Sequence, residues 1–215
     1  MIRAVFFDVG ETLINETRLW TAWADYLRVP ASVLFGALDK CIKERRHHRE
    51  LFQSLSPGFD VDAARRVREA SGNPDLPDAA DIYPDAALCI TALQHLNIMV
   101  GVAANQPARA VTLLESFGIV ADMMASSEAW GIEKPSPAFF ERICSVAGLQ
   151  ASQIAYVGDR VDNDVLPALG AGMTAVFLRR GPWARIQADW AEARLATVTI
   201  DSLSELVPAL ASQLG

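Results

Sequence analysis

The chain has 215 residues and a formal net charge of −7; 51% of its residues are hydrophobic and 21% are charged. This length accommodates one enzyme core, or a core of roughly 150 residues with a smaller insertion. No apolar run approaches the ~20 residues that span a bilayer, the N-terminal segment lacks the features of a signal peptide, and the acidic balance disfavours nucleic-acid binding. We therefore expect a cytoplasmic protein with a small-molecule partner, without nucleic acid or membrane as partners, while the oligomeric state stays open.

Six short apolar runs predict the strands of one sheet. The first covers residues 2–7 and ends at Asp8, and its continuous apolar character favours a central strand of a parallel sheet. The remaining runs cover residues 98–103, 123–125, 154–157, 174–178 and 196–200. Helical patterns separate most of the runs, at residues 83–96, 137–147 and 201–210. This alternation predicts an α/β fold with a doubly wound parallel sheet.

Residues 16–80 interrupt the alternation, because apolar residues recur there at helical spacing without a convincing strand pattern. We therefore predict an α/β core formed by residues 1–15 and 81–215, with residues 16–80 as an inserted α-helical cap. Its position after the first strand predicts that it lies over the carboxyl end of the sheet, where such folds bind ligands. Helical spacing favours the packing of three aromatic residues inside this module over a role in lining a cleft: Trp20, Trp23 and Tyr26.

The cysteines and the one basic segment indicate little about function. The cysteines are widely spaced, without a CxxC pair or clustered histidines, which predicts three reduced thiols: Cys41, Cys89 and Cys144. The basic segment KERRHHR, residues 43–49, predicts a solvated helix face, with the gripping of an anionic substrate as the alternative.

Carboxylates cluster where two of the predicted strands end. Asp8 follows the first strand and begins a tight turn, a place where an isolated Asp is often only a turn former. Asp159 and Asp164 follow the run at residues 154–157, and capping of the next helix explains one of them but hardly both. A few hard oxygen ligands with room for water and a phosphate oxygen are what Mg²⁺ prefers. The pattern indicates a magnesium site at the carboxyl edge of the sheet.

Lys134 lies between these carboxylates along the chain, in the segment GIEKPSPAFF. The following Pro135 restricts the backbone of Lys134 and biases it away from helix, so its ammonium can be directed at the carboxylates. On its own, this lysine would indicate nothing.

Four segments together resemble the motifs of the haloacid dehalogenase (HAD) superfamily. They occur in the expected order, each near the end of a predicted strand, and they span nearly all of the chain outside the helical module. The segments are FFDVGETL, VGVAANQP, GIEKPSPAFF and YVGDRVDNDVLPALGAGM. The helical module resembles the cap that many members of the superfamily insert after the first motif.

The resemblance implies a Mg²⁺-dependent hydrolase, foremost a phosphatase that acts on a small phosphorylated metabolite. Asp8 would attack phosphorus and form an aspartyl-phosphate, which water then hydrolyses, while Lys134 would neutralise Asp8 and the transferring group. The resemblance assigns four ligands to Mg²⁺: Asp8, the backbone carbonyl of Gly10, Asp159 and Asp164.

The same resemblance assigns contacts with the substrate to a second set of residues: Thr12, Asn105 and Lys134. Arg160 and Asp162 lie in the fourth motif, where we expect them to be loop and surface residues without a part in the reaction.

The first departure from the family pattern is Gly10. Phosphatases of the family usually have a second Asp at this position, which protonates the leaving oxygen and later activates water. The loss of a positioned acid or base typically lowers the rate by ~10²–10⁴, so we expect slow turnover. The neighbouring Glu11 is predicted to be a surface carboxylate rather than a substitute for the missing acid.

The second departure is Ala104, where the family usually has a Ser or Thr whose hydroxyl binds a phosphate oxygen. Backbone N–H groups after the strand, together with the Asn105 amide, can still hold an anion, although Asn105 is equally explained as a turn former. We expect weakened phosphate binding.

These departures leave other functions open. One is a catalytically impaired family member that binds a phosphorylated ligand or a protein partner without turnover. A metal-independent 2-haloacid dehalogenase needs no acid, but that branch usually has an aromatic residue at the position of Gly10. A phosphonate-cleaving member requires a cap lysine that forms a Schiff base, for which Lys40 and Lys43 are candidates, although a solvated helix face is the expected place for both.

Overall fold

The computed structural model describes residues 1–214, and the chain divides into two compact units. One unit combines Met1–Asn15 with Asp78–Gly215, and the other is Glu16–Pro77. The helices are numbered in chain order: α1 (Thr17–Leu27), α2 (Ala31–Lys43), α3 (Glu50–Leu55), α4 (Val61–Ala70), α5 (Ala86–His95), α6 (Ala108–Ser116), α7 (Ser127–Trp130), α8 (Pro137–Ala147), α9 (Leu166–Gly170), α10 (Gly181–Gln187) and α11 (Leu206–Leu210).

The chain returns to the first unit at Asp78, earlier than the predicted position 81. The cause is a 3₁₀ turn at Ala79–Asp81 with a capping box at its N-terminal end. The Asp78 carboxylate accepts the N–H of Ala80 at 3.0 Å, and the Asp81 carboxylate accepts the N–H of Asp78 at 2.8 Å. Because the Asp81 carbonyl also accepts the N–H of Asn15 at 2.8 Å, this turn belongs to the first unit.

The first unit is built on a six-stranded sheet in which every strand pair is parallel. The strands are β1 (Ala4–Phe7), β2 (Met99–Ala104), β3 (Met123–Ser126), β4 (Ile154–Gly158), β5 (Thr174–Leu178) and β6 (Val198–Ile200). Their order is β3-β2-β1-β4-β5-β6, so β1 is central and the order reverses beside it. Ligands of open α/β sheets bind at the carboxyl ends of the strands next to such a reversal. The predicted α/β fold with a parallel sheet is confirmed.

Alternation along β1 supplies both hydrophobic layers of this unit. Val5 and Phe7 belong to one buried cluster, which includes residues of α5 and α11. Ala4 and Phe6 belong to the other, which includes residues of α8, α9 and α10. Since both faces of the strand are buried, its apolar run is continuous rather than alternating.

Helices α5 and α11 begin later than their sequence patterns predict. Helix α5 begins at Ala86 instead of the predicted residue 83, and the carboxylate of Asp85, directly before it, binds Arg180 rather than the N–H groups of the helix. Asp201, the predicted first residue of α11, instead pairs with Arg179 at 2.7 Å. A 3₁₀ turn at Leu203–Glu205 precedes α11.

The unit Glu16–Pro77 contains α1 to α4, and none of its described residues forms a strand. Trp23 is buried in this unit, with its ring centre 4.9 Å from that of Phe52. Tyr26 is 40% exposed, so the prediction of a packed position is wrong for this residue; its ring contacts Phe59 at the surface.

The basic segment at residues 43–49 is not a helix face, contrary to the prediction. Helix α2 ends at Lys43, and the rest of the segment forms the turn that leads to α3. Arg46 in this turn pairs with Glu44 and Glu50, so surface carboxylates already neutralise part of its charge.

Two global expectations can be compared with the described residues 1–214. None of the helices there combines the length and apolar character needed to cross a membrane. The three cysteines are free, two of them buried and Cys144 half-buried.

Candidate active site

Two carboxylates lie side by side because the strands that precede them are neighbours. Phe7 is paired with Val157 in the β1–β4 register, and the N–H of Asp8 donates to the Val157 carbonyl at 2.9 Å. Asp159 directly follows β4, so it comes to the same edge of the sheet as Asp8. Both residues are buried, with 8% of Asp8 and 2% of Asp159 exposed.

Asp164 joins them through the turn that follows β4. A single π-helical turn at Val161–Val165 brings its carboxylate back toward the strand, where it accepts the N–H of Arg160 at 3.0 Å. Gly158 permits this approach, since a Cβ there would lie 2.4 Å from the Asp164 Cγ. π-Helical turns occur frequently at functional sites.

Lys134 connects two of the three carboxylates. Its Nζ lies 2.6 Å from Asp8 Oδ1 and 2.5 Å from Asp164 Oδ1, and its side chain is fully buried. The ammonium also lies 5.2 Å from the ring centre of Tyr156, whose hydroxyl donates to the Ala103 carbonyl at 2.7 Å. The structure therefore brings together the three groups that the sequence analysis singled out from distant segments.

The Asn105 amide holds the backbone of Lys134. Its Nδ2 donates to the Lys134 carbonyl at 2.8 Å, and its Oδ1 accepts the Lys134 N–H at 2.8 Å. The sequence predicts phosphate contact or a turn for Asn105 and does not predict this contact. A lone Asn at a strand end carries no signal for a backbone partner 29 positions away.

The three carboxylates fit a divalent cation. Asp8, Asp159 and Asp164 each offer an oxygen, and these oxygens lie within 4.8 Å of one another. Lys134 supplies one positive charge against three acidic groups. Asp159 Oδ2 is buried and, among the described residues, has no hydrogen-bond partner. A buried acceptor of this kind is costly unless an external group satisfies it, and carboxylate oxygens are hard ligands of the type that Mg²⁺ binds.

Burial and mutual repulsion shift the pKa values of these groups. Burial raises the pKa of Asp159 well above its usual range, and the charges of Asp164 and Asp8 raise it further. Burial raises the pKa of Asp164 to about 6, although the Lys134 ammonium opposes the shift. Burial alone would lower the pKa of Lys134, but Asp164 and Asp8 more than offset that effect, so the pKa lies well above its usual value. Perturbed groups that converge in this way are typical of functional sites.

Glu11 is buried, so the prediction of a surface carboxylate is wrong. Only 3% of the residue is exposed, and its carboxylate accepts the Tyr83 hydroxyl at 2.7 Å. Tyr83 is far away in the sequence, which explains why the local turn pattern did not reveal the burial. Thr12 is also fully buried, and within residues 1–214 its hydroxyl has no hydrogen-bond partner. Its contact with substrate stays a prediction.

The remaining residues of the second and fourth motifs have structural partners. Ala104 ends β2 in a buried position, and the first amide of α6, that of Ala108, already donates to the Glu128 carboxylate at 2.7 Å. Arg160 and Asp162 form an ion pair at 2.8 Å, and Gln187 donates to Asp162 at 2.9 Å.

A parallel sheet that gathers buried carboxylates and one ammonium at the carboxyl ends of its central strands defines the class of protein, an α/β enzyme. The chain belongs to the haloacid dehalogenase-like hydrolase family, which it matches over residues 2–172. The resemblance read from the four motifs is thereby confirmed.

Two named relatives align with most of the chain. The glyceraldehyde 3-phosphate phosphatase of Methanopyrus kandleri is 30% identical over 207 residues, covering 85% of this chain and 86% of that protein. The phosphoglycolate phosphatase of Chromobacterium violaceum is 30% identical over 225 residues, covering 95% of each.

Solved structures share the fold. A 2-haloacid dehalogenase from Pseudomonas syringae has a TM-score of 0.64 at 24% identity and covers 99% of both chains. A β-phosphoglucomutase from Clostridium difficile has a TM-score of 0.67 at 18% identity, covering 96% of this chain and 93% of that one.

Proposed function

We propose that the protein is a Mg²⁺-dependent phosphatase of a small phosphorylated metabolite, with Asp8 as its nucleophile. The observation that carries the proposal is the contact of the Lys134 ammonium with Asp8 and Asp164, beside the unpartnered oxygen of Asp159. The two relatives whose names specify three-carbon and two-carbon phosphate esters support a small substrate. We extend the proposal to a cytoplasmic protein that acts without nucleic acid or membrane.

The residues present fit Mg²⁺, and its ligands would be Asp8, the Gly10 carbonyl, Asp159 and Asp164. A bound Mg²⁺ would offset the negative charge of the phosphoryl oxygens and of the carboxylates. The nucleophile and the ammonium of the proposed reaction are side chains of the chain itself, Asp8 and Lys134.

In the first step, an Asp8 oxygen bonds to phosphorus while the bond from phosphorus to the leaving oxygen breaks, which gives an aspartyl-phosphate. Lys134 neutralises Asp8 and the transferring group. In the second step, water attacks the phosphorus of the intermediate, which releases inorganic phosphate and restores Asp8. The leaving oxygen takes its proton from water or from the substrate, since Gly10 has no side chain to donate one.

This missing donor makes the proposed turnover slow for substrates with poor leaving groups, by ~10²–10⁴ relative to an enzyme with a positioned acid. The Glu11 carboxylate does not fill the role in the proposal, because it accepts the Tyr83 hydroxyl. In the substrate complex we propose contacts from Thr12, Asn105 and Lys134, and selection among substrates by the helical unit Glu16–Pro77.

A second candidate function is the binding of a phosphorylated ligand without turnover. The observations that favour it are the absence of a side chain at Gly10 and of a hydroxyl at Ala104. A metal-independent 2-haloacid dehalogenase is the third candidate, and the surplus of buried carboxylates over ammonium groups at the site speaks against it, since such a reaction has no use for a cation.

One assay separates these functions. Sugar phosphates, nucleotides, short-chain phosphate esters and p-nitrophenyl phosphate are incubated with the protein with and without Mg²⁺, alongside Asp8→Asn. The proposal expects phosphate release that requires Mg²⁺ and is lost in the variant. Protection against thermal unfolding by an ester that is never cleaved would favour the binding protein, and halide release from 2-chloropropionate without metal would favour the dehalogenase.

A further inference from the structure

Three residues outside the four motifs hold the turn that follows Asp8. We call Tyr83, Asp85 and Arg180 the brace. Tyr83 and Asp85 come from the segment before α5, and Arg180 comes from the segment between β5 and α10. Arg180 lies beyond the residues 2–172 that match the family.

Arg180 is the centre of the brace. Its Nη1 donates to Asp85 Oδ1 and to the carbonyl of Thr12, both at 3.1 Å, and its Nη2 donates to Asp85 Oδ2. The guanidinium also lies 4.0 Å from the ring centre of Tyr83. Its side chain is only 12% exposed, so these contacts replace most of its solvation. A two-pronged pair of this kind restricts both partners in orientation as well as in distance.

Tyr83 adds two attachments to the same turn. Its hydroxyl donates to Glu11 Oε2 at 2.7 Å, and its N–H donates to the Leu13 carbonyl at 2.9 Å. Together with the bond from Arg180 to Thr12, the brace therefore holds three consecutive residues of the turn. Asp85 fixes the other end of the brace, because its Oδ2 also accepts the N–H of Leu203 at 2.9 Å.

The turn requires such support at Glu11. This residue has a φ of 51°, which is uncommon for a side chain other than glycine and persists only where the surroundings impose it. On its other side, Glu11 meets the start of α10, where a Cβ at Gly181 would lie 2.5 Å from the Glu11 Cγ. Glu11 is thus enclosed between Tyr83 and Gly181.

We infer that Tyr83, Asp85 and Arg180 are positioning residues, which set the direction of the Asp8 carboxylate and the Gly10 carbonyl by holding the turn between Gly10 and Leu13. The inference rests on the proposed function, which gives these two groups their roles. Displacements of about 1 Å in a reacting group can lower a rate by about 10², and outer partners of metal ligands affect affinity or activity by about 10–100-fold. The brace residues contact neither the substrate nor the reacting atoms, and they act through the turn alone.

The test compares Tyr83→Phe and Arg180→Lys with the wild-type protein. Tyr83→Phe removes only the hydrogen bond to Glu11 and keeps the aromatic ring beside the Arg180 guanidinium. Arg180→Lys keeps the positive charge but cannot form the two parallel hydrogen bonds to Asp85. We expect Mg²⁺ affinity, measured by calorimetric titration, to weaken about tenfold in both variants. The kcat for p-nitrophenyl phosphate should fall by a similar factor while KM stays within about twofold, and the unfolding midpoint of Tyr83→Phe should stay within about 3 °C of wild type.

The matched control is Arg179→Lys. Arg179 precedes Arg180 and forms a pair of the same chemistry with Asp201, at 2.7 Å for both bonds, but that pair is exposed and does not contact the turn. We expect wild-type metal affinity and kcat for this control. Wild-type metal affinity and kcat in both brace variants would overturn the inference, as would an equal loss in the control.

The metal titration keeps this inference distinguishable from the proposed function. A wild-type protein that binds Mg²⁺ but cleaves no phosphate ester would overturn the proposed function, and the affinities of the variants would then decide the inference alone. A wild-type protein that binds no Mg²⁺ would overturn both.

Discussion

Each of the two units of the chain contains a buried charged cluster, and the two clusters are balanced differently. In the sheet unit, three carboxylates lie together and two of them contact one ammonium, that of Lys134. In the helical unit, the buried charge is a cation: Arg68, 2% exposed, lies 4.2 Å from the ring centre of Trp23 and 3.3 Å from Asp75. Asp75 in turn accepts bonds from the Trp23 indole at 3.0 Å and from Arg65 at 3.3 Å.

The charge of the helical cluster is therefore balanced by the protein, through a counter-ion and an aromatic face, although Nε and Nη2 of Arg68 are buried without a hydrogen-bond partner among residues 1–214. The carboxylate cluster differs in the sum of its charges, because one ammonium stands against three acidic groups. Burial of a charge is thus no functional signal by itself, since structural ion pairs are buried too. The informative feature is an excess of one sign that a missing ligand would compensate.

The largest effect should come from adding the proton donor that the carboxylate cluster lacks. We expect Gly10→Asp to raise kcat/KM for alkyl phosphates by about 10²–10⁴, because the new carboxyl can protonate the leaving oxygen. The gain should be much smaller for p-nitrophenyl phosphate, whose leaving group needs no proton. Gly10→Ala is the matched control, and an equal gain in that variant would contradict the explanation. Steady-state phosphate release measures all three proteins.

Removing the single ammonium of the site should give the next largest effect. We expect Lys134→Met to lower kcat by about 10²–10³, the usual loss when a preorganised charged or polar donor is removed from a transition state. Mg²⁺ should still bind, since the carboxylates remain, and calorimetry would show this. Lys40→Met, at an exposed lysine of α2, should match wild type in both measurements. Loss of metal binding together with activity in Lys134→Met would contradict the assigned role.

A substitution in the helical cluster should lower the stability of the protein and leave its metal binding unchanged. We expect Arg68→Met to lower the free energy of unfolding by about 1.5 kcal/mol, because Asp75 loses one charged hydrogen bond but keeps those from Arg65 and the Trp23 indole. Mg²⁺ affinity should stay at the wild-type value. Chemical denaturation and metal titration measure the two quantities, and Arg66→Met, at an exposed position of the same helix, is the control. A large loss of metal affinity in Arg68→Met would break the contrast between the clusters.

The sequence predicts features that depend on local patterns and misses those that depend on contacts between distant segments. The positions of the strands and their parallel arrangement were predictable, because strands buried on both faces leave continuous apolar runs. Asp8 and Asp159 were readable as neighbours, since the carboxyl ends of adjacent parallel strands meet at one edge. The burial of Glu11 was not, because Tyr83 and Gly181 enclose it from distant segments. Asp164 was assigned to the same site, but the π-helical turn that brings its carboxylate back to the strand was not predictable, because no residue pattern indicates such a turn.

The stability of the protein and its Mg²⁺ affinity should both depend on pH through the acidic cluster. In the folded protein the pKa of Asp164 is about 6, above its ordinary 3.8, so the folded state holds this proton more tightly than the unfolded chain. Without metal, its contribution to stability is therefore complete below about pH 4 and is lost as the pH rises through about 6. Since Mg²⁺ competes with the proton, we expect the metal affinity to weaken about tenfold between pH 7 and pH 5. Calorimetric titration at both values checks this, and a pH-independent affinity would contradict it.

The smallest effect should come from a substitution of Asn105, whose amide binds the backbone of Lys134. Asn105→Ala removes both bonds to the Lys134 backbone but leaves the ammonium and the carboxylates in place. We expect kcat to fall about fivefold, because the ammonium loses preorganisation but not charge, while the Mg²⁺ affinity stays unchanged. Loss of the proposed contact between Asn105 and the phosphate would show separately, as a higher KM. Steady-state kinetics therefore separates the two roles, and Asn105→Asp, which can still accept the Lys134 N–H, should lose less activity than Asn105→Ala if the hold on the backbone is what matters.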